Sequence, residues 1–139
     1  MQETQDKVEA FLEQVKEILK DDENWNINDE PWVGKVNKTL CYMTEKNLKK
    51  KDIKPIIEEL TLENYCETEL DTNVNFKGEY MWKFGITKTL VDDIEDLYIK
   101  LKIRKFDDDC LLVMSFHPEE PDRPEKKLQF PYRNKSINN

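Results

Sequence analysis

Between Leu97 and His117 the chain reads LYIKLKIRKFDDDCLLVMSFH, and this stretch constrains the fold more than any other. Two runs rich in Ile, Leu, Val and aromatics flank Phe106-Asp107-Asp108-Asp109, the pattern of a β-hairpin. In the first run Leu97, Ile99, Leu101 and Ile103 alternate with Tyr98, Lys100, Lys102 and Arg104, so one face is apolar and the other cationic with a tyrosine. A loop of four residues sets Lys105 opposite Cys110 and pairs Ile103 with Leu112, Leu101 with Met114 and Ile99 with Phe116. The same register sets Lys100 opposite Ser115 and Tyr98 opposite His117, the only histidine in the chain. A slip of one residue would spoil both faces, and this supports the register.

The remaining segments read as covers for such a hairpin. From Thr4 to Lys20, Val8, Phe11, Leu12, Val15, Ile18 and Leu19 recur at helical spacing with Thr4 as N-cap, an amphipathic helix. Residues 21–34 form an irregular connection carrying Trp25 and Trp32, which plug the core or stack bases. A second helix is expected over Val36 to Glu45. A third is expected to be capped by Asp52, with Pro55 in its first turn and Ile53, Ile56, Ile57 and Leu60 on its buried stripe. Leu62 and Tyr65 tuck a short turn against the helices, and Cys66 to Gly78 reads as polar loop. In Glu79 to Thr87, Tyr80, Trp82, Phe84 and Ile86 alternate with Met81, Lys83, Gly85 and Thr87, a strand that carries Lys83 to the face of Tyr98 and His117. Lys88 to Asp96 reads as an acidic connection. Beyond His117 a proline-rich tail forbids regular helix, with Leu128, Phe130 and Tyr132 as anchors at a sheet edge and Arg123, Lys126, Lys127, Arg133 and Lys135 making it basic.

At 139 residues this is one domain, with a helical part over about residues 4–65, a sheet part over about 79–117 and a tail over 118–139. The expected class is α+β, three helices packed on a small antiparallel sheet. No run has the apolar length of a membrane span, and the N-terminus lacks the pattern of a signal peptide, so cytoplasmic residence is the expectation. Cys41, Cys66 and Cys110 are an odd number with no metal-ligand spacing, which points to reduced structural thiols. The formal net charge of −8 argues against a dedicated duplex-DNA binder but leaves room for a local basic face.

That face fits RNA cleavage without a metal, which needs a base for the 2′-hydroxyl proton, an acid for the leaving 5′-oxygen and cations for the charge on phosphorus. His117 serves as base or acid. Tyr98, Lys100 and Lys83 bind and polarise the phosphate, and Lys102, Arg104 and Ser115 extend the RNA-binding surface. No phosphate-cradling glycine loop or nucleophile elbow is present, and one histidine precludes a multi-histidine metal site. No cofactor and no metal are expected. The competing expectation is a non-catalytic module whose hairpin face or basic tail docks an acidic partner.

The motifs LTLENYC (Leu60 to Cys66), YMWKFG (Tyr80 to Gly85), LYIKLKI (Leu97 to Ile103) and LLVMSFHPEEP (Leu111 to Pro121) make the chain resemble the motility quorum-sensing regulator (MqsR) family of type II toxin–antitoxin modules. The resemblance implies a RelE-like ribonuclease fold and a metal-independent mRNA endoribonuclease (mRNA interferase) that inhibits translation and growth until a cognate antitoxin binds. It sets the family's functional tyrosine on Tyr98 and its neighbouring lysine on Lys100. A strand-end lysine of the family falls on His117, a glutamine on Lys83, and a basic residue on Glu67. The histidine keeps a proton carrier in place, whereas Glu67 removes a cation, so the chain reads as an active toxin of altered preference or as a diverged, inactive homologue.

Overall fold

The structure, a computed structural model, describes residues 1–72, 78–105, 109–119 and 128–133. Among these, α1 (Gln5–Ile18), β1 (Trp25–Ile27), α2 (Lys38–Lys46), α3 (Lys50–Glu58), β2 (Tyr65–Leu70), β3 (Tyr80–Leu90), β4 (Asp93–Lys105) and β5 (Asp109–Pro118) follow one another along the chain. The strands form one sheet in the order β1-β5-β4-β3-β2. The class is α+β, but the sheet is mixed rather than purely antiparallel, because β1 runs parallel to β5.

The helices form where the apolar period predicts, and their ends are set by hydrogen bonds. Thr4 caps α1, which buries Val8, Phe11, Leu12, Val15 and Ile18. Asn37 accepts hydrogen bonds from the Thr39 and Leu40 amides and starts α2 two residues later than Val36. α3 begins at Lys50, ahead of Asp52, whose carboxylate accepts from the Lys49 amide at 2.8 Å, so Pro55 lies inside the helix rather than in its first turn. Ile53, Ile56, Ile57 and Leu60 are buried as expected. Each such side chain contributes roughly 1.5–3 kcal/mol on burial. Phe11 stacks on Trp82 at 4.2 Å between centroids and ties α1 to the apolar face of the sheet.

Three segments differ from the sequence expectation. Trp25 to Ile27 pair with Leu111 to Val113 as a short edge strand, and Trp25 is buried whereas Trp32 is exposed. Residues 65–70, expected within polar loop, are strand β2, whose register with β3 shifts between Tyr65 and Glu67. The segment from Lys88 to Asp96 is strand on both sides of a two-residue turn, with Val91 at φ 48° and Asp92 at φ 72°. This backbone matches the twist of paired strands and is the favoured hairpin turn.

The central hairpin keeps half of its expected register. Tyr98 is opposite His117, Ile99 opposite Phe116 and Lys100 opposite Ser115, but Leu101 then pairs with Val113, Ile103 with Leu111 and Lys105 with Asp109. Met114 is the extra residue of a bulge. Val113 and Phe116 are both fully buried although two residues separate them, and regular alternation cannot place both inward without that insertion. Phe106 to Asp108 lie outside the described residues.

The tail is anchored, though not as an edge strand. An added Cβ on Gly85 would lie 2.7 Å from Leu128 Cδ1 and 2.7 Å from Phe130 Cζ, so the tail packs on the sheet at this glycine. Tyr132 stacks on Tyr65 and its hydroxyl donates to the Glu3 carbonyl. Arg123, Lys126, Lys127 and Lys135 lie outside the described residues.

Candidate active site

The face of the sheet turned away from Phe84, Ile99 and Phe116 collects the residues expected to do chemistry. Strand alternation puts His117, Tyr98 and Gly85 in one row across β5, β4 and β3, and Ser115, Lys100, Lys83 and Glu67 in the next, running on to β2. Tyr98 and His117 are half-buried and their rings stack, 5.4 Å between centroids and 23° between planes. Phenol and imidazole therefore meet, and neither is sealed inside.

His117 Nδ1 is 2.9 Å from the Pro118 carbonyl oxygen. A carbonyl can only accept, so Nδ1 carries the hydrogen and the neutral ring presents a lone pair at Nε2. Burial, with help from Lys38 and Lys100 and against the Pro118 hydrogen bond, holds the imidazole below its ordinary 6.5. Tyr98 is pushed up to about 12, mainly by burial, and keeps its proton as a donor. Burial also pulls Lys100 below 10.5, Lys83 and Lys102 act in the same direction, and Glu69 and Asp71 oppose them. Among the described residues no ion pair joins Lys100 to a carboxylate. It is the cation of this face left to meet an outside anion.

The other cations are answered by acids. Lys83 lies 3.1 Å from Glu67 Oε1 and 3.0 Å from Glu69 Oε2. Those carboxylates more than offset the effect of burial and raise Lys83 above 10.5. The Lys102 side chain is wholly buried, and its ammonium donates to Asp71 and Glu79. Arg104 grips Glu79 with two nitrogens, Nε at 2.9 Å and Nη2 at 3.1 Å. Lys102 and Arg104 thus brace β4 against residues 71 and 79 and do not extend an open cationic surface. Ser115 takes its expected place beside Lys100.

Sequence reasoning placed the acids elsewhere, because it did not recognise β2, the strand that brings Glu67 and Glu69 to this face. It also passed over Gly85, although a glycine inside an aromatic strand is a signal of close approach by another piece of chain. Cys41, Cys66 and Cys110 are free thiols, and burial pushes Cys66 up to about 12, far from a reactive thiolate. Among the described residues no group of His, Cys, Asp and Glu is placed to hold a metal ion, and no helix is long and apolar enough to cross a membrane.

No family model, curated protein or solved structure matches this chain. Its function has to be argued from the face itself. The row from His117 through Tyr98, with Lys100 beside it, combines a proton acceptor, a neutral hydrogen-bond donor and an ammonium within one turn of the pleat. Such a set can deprotonate a hydroxyl and stabilise a phosphorane.

Proposed function

We propose that the chain is a metal-independent mRNA endoribonuclease, the toxin of a type II toxin–antitoxin pair on a RelE-like scaffold, which acts in the cytoplasm and is silenced by a cognate antitoxin protein. The reading rests on the Tyr98–His117 stack beside Lys100 and on the resemblance of the surrounding motifs to the MqsR family. In the reaction His117 Nε2 takes the 2′-hydroxyl proton and the 2′-oxygen bonds to phosphorus. The phosphorus–5′-oxygen bond then breaks, leaving a 2′,3′-cyclic phosphate and a 5′-hydroxyl. Tyr98 donates a hydrogen bond to a non-bridging oxygen. Lys100, an acid stronger than its ordinary value, stabilises the charge and protonates the leaving oxygen.

The test is cleavage of an oligoribonucleotide in the presence of a chelator, with products identified by mass. A cyclic phosphate terminus is expected, and His117→Ala should slow the reaction by about 100-fold or more. Cleavage unaffected by that change would remove His117 from the mechanism.

The second reading, a non-catalytic interaction module or an inactive toxin homologue, is favoured by one observation: Glu67, Glu69, Asp71 and Glu79 neutralise three of the cations a nucleic acid would seek. Wild-type protein that neither binds nor cuts RNA, yet binds a protein partner through the hairpin face, would decide for it.

A further inference from the structure

The RNA-cleavage reading leaves open where the polynucleotide runs on either side of the reacting phosphate. One side is obstructed. Leu128 and Phe130 lie over Gly85, next to Tyr98, and beyond them Glu67 and Glu69 line β2. The other side is bounded by the start of α2, and its position there is fixed by hydrogen bonds. Thr39 Oγ1 accepts from the Phe116 amide at 2.9 Å, across 77 positions of chain. Asn37, almost fully buried, donates to the carbonyls of Asn28 and Glu30 at 3.0 and 2.8 Å while capping the helix. Between these two tethered residues stands Lys38, exposed, one position from Thr39 as His117 is one position from Phe116.

Lys38 is badly placed for its own helix. It occupies the first turn of α2, where a cation opposes the helix dipole and an acid would be favoured, and that turn carries no acid. Its charge is felt at His117, where it disfavours the imidazolium. Helix stability therefore does not account for a lysine held here, whereas an anion passing over His117 would.

We propose that Lys38 is a substrate-binding residue of the same site, holding the phosphate adjacent to the one being cleaved, so that the RNA leaves the reacting centre over β5 and the start of α2. The assignment rests on the RNA-cleavage reading. Lys38 extends the row Tyr98–His117 past the edge of the sheet and supplies the charge that Lys83, paired with Glu67 and Glu69, does not offer.

The experiment compares wild type, Lys38→Gln and Lys38→Arg. Steady-state cleavage gives KM and kcat, an oligonucleotide with 2′-deoxyribose at the cleaved position gives affinity as a function of salt, and NMR titration follows His117. The charges acting on His117 come from Lys38 on α2 and Lys100 on β4, Glu119 follows two residues along, and the stacked Tyr98 stays neutral. Lys38→Gln should raise KM roughly tenfold with kcat nearly unchanged, lower the salt slope by about 0.7 for one lost phosphate contact, and raise the His117 pKa. Lys38→Arg should restore all three. Wild type that cleaves while Lys38→Gln matches it in KM and salt slope would overturn the assignment and leave the nuclease reading intact. Wild type that neither binds nor cleaves RNA would overturn both.

Discussion

The phenol of Tyr98 and the imidazole of His117 lie stacked across the β4–β5 pair, 5.4 Å apart, on the side of the sheet that the helices leave uncovered. Their environments separate their protonation. The imidazole is held below 6.5 and the phenol raised to about 12, so over a wide range one is a free base and the other a retained donor.

From that separation follows a pH profile of kcat/KM for RNA cleavage. Activity should rise with pH through a midpoint below 6.5 as His117 loses its proton, and fall through a midpoint below 10.5 as Lys100 loses its own. Lys100→Ala should lower the plateau and abolish the alkaline limb. An acid limb above 6.5 would contradict the neutral base. Stability follows the same sign. A histidine depressed in the folded state binds more protons when unfolded, so its contribution is present above 6.5 and lost as pH falls through that value toward the folded one.

Lys102 belongs to the fold, and its loss should register as instability. Its side chain is fully buried, with Asp71 and Glu79 at 9% and 18% exposure. Lys102→Ala strands these acids and should cost about 3–5 kcal/mol in urea unfolding. Lys102→Met combined with Asp71→Asn and Glu79→Gln should recover most of that loss. A single variant as stable as wild type would show that the network carries little.

Glu67 restrains Lys83 next to the site. Glu67→Lys removes one of its two carboxylates and adds a cation where the resembling family has a basic residue. RNA affinity should rise several-fold and its salt dependence steepen by about 0.7–1.4, for one or two added phosphate contacts. Affinity and salt slope equal to wild type would place the RNA path away from β2.

Gly85 is tolerated only as glycine while the tail is seated. Gly85→Val directs carbon atoms at Leu128 and Phe130, which a Cβ alone already approaches to 2.7 Å. The tail should lift, with faster proteolysis after Glu119 and a stability loss of about 1–3 kcal/mol. Proteolysis at the wild-type rate would mean that the tail is not held there.

Val91 sits in the left-handed region with a β-branched side chain, at φ 48°. Val91→Asn should relieve this and stabilise the protein by about 1 kcal/mol, seen as a higher midpoint of thermal unfolding. An unchanged or lower midpoint would mean that the turn is not strained at this residue.

What could be read in advance followed the rule that one buried face fixes parity. Alternation from Leu97 to Arg104 set Tyr98 against His117 and Lys100 against Ser115, because any slip there would bury lysine. Toward the turn, Leu111, Leu112, Val113 and Met114 are all apolar, so the run holds no parity information and the bulge at Met114 was invisible. β2 escaped notice because YCETEL offers only Tyr65 and Thr68 to the core, and the shift after Tyr65 breaks their rhythm. β1 is three residues long, too short for a period. The pairing of Lys83, Lys102 and Arg104 with acids, and the place of Lys38 beside His117, depend on which elements meet in space, and a single strand's pattern cannot report that.

The outermost strands leave little room for a newcomer. The Thr68 amide donates to the Met1 carbonyl at 2.8 Å and the Met1 ammonium returns a bond at 3.0 Å, while on the far side β1 and then Thr39 occupy the rim of β5. A proteinaceous inhibitor of this molecule would therefore find no docking register for β-augmentation. It must occlude the rings themselves or prise off the segment above Gly85, and its inhibition should be competitive with RNA.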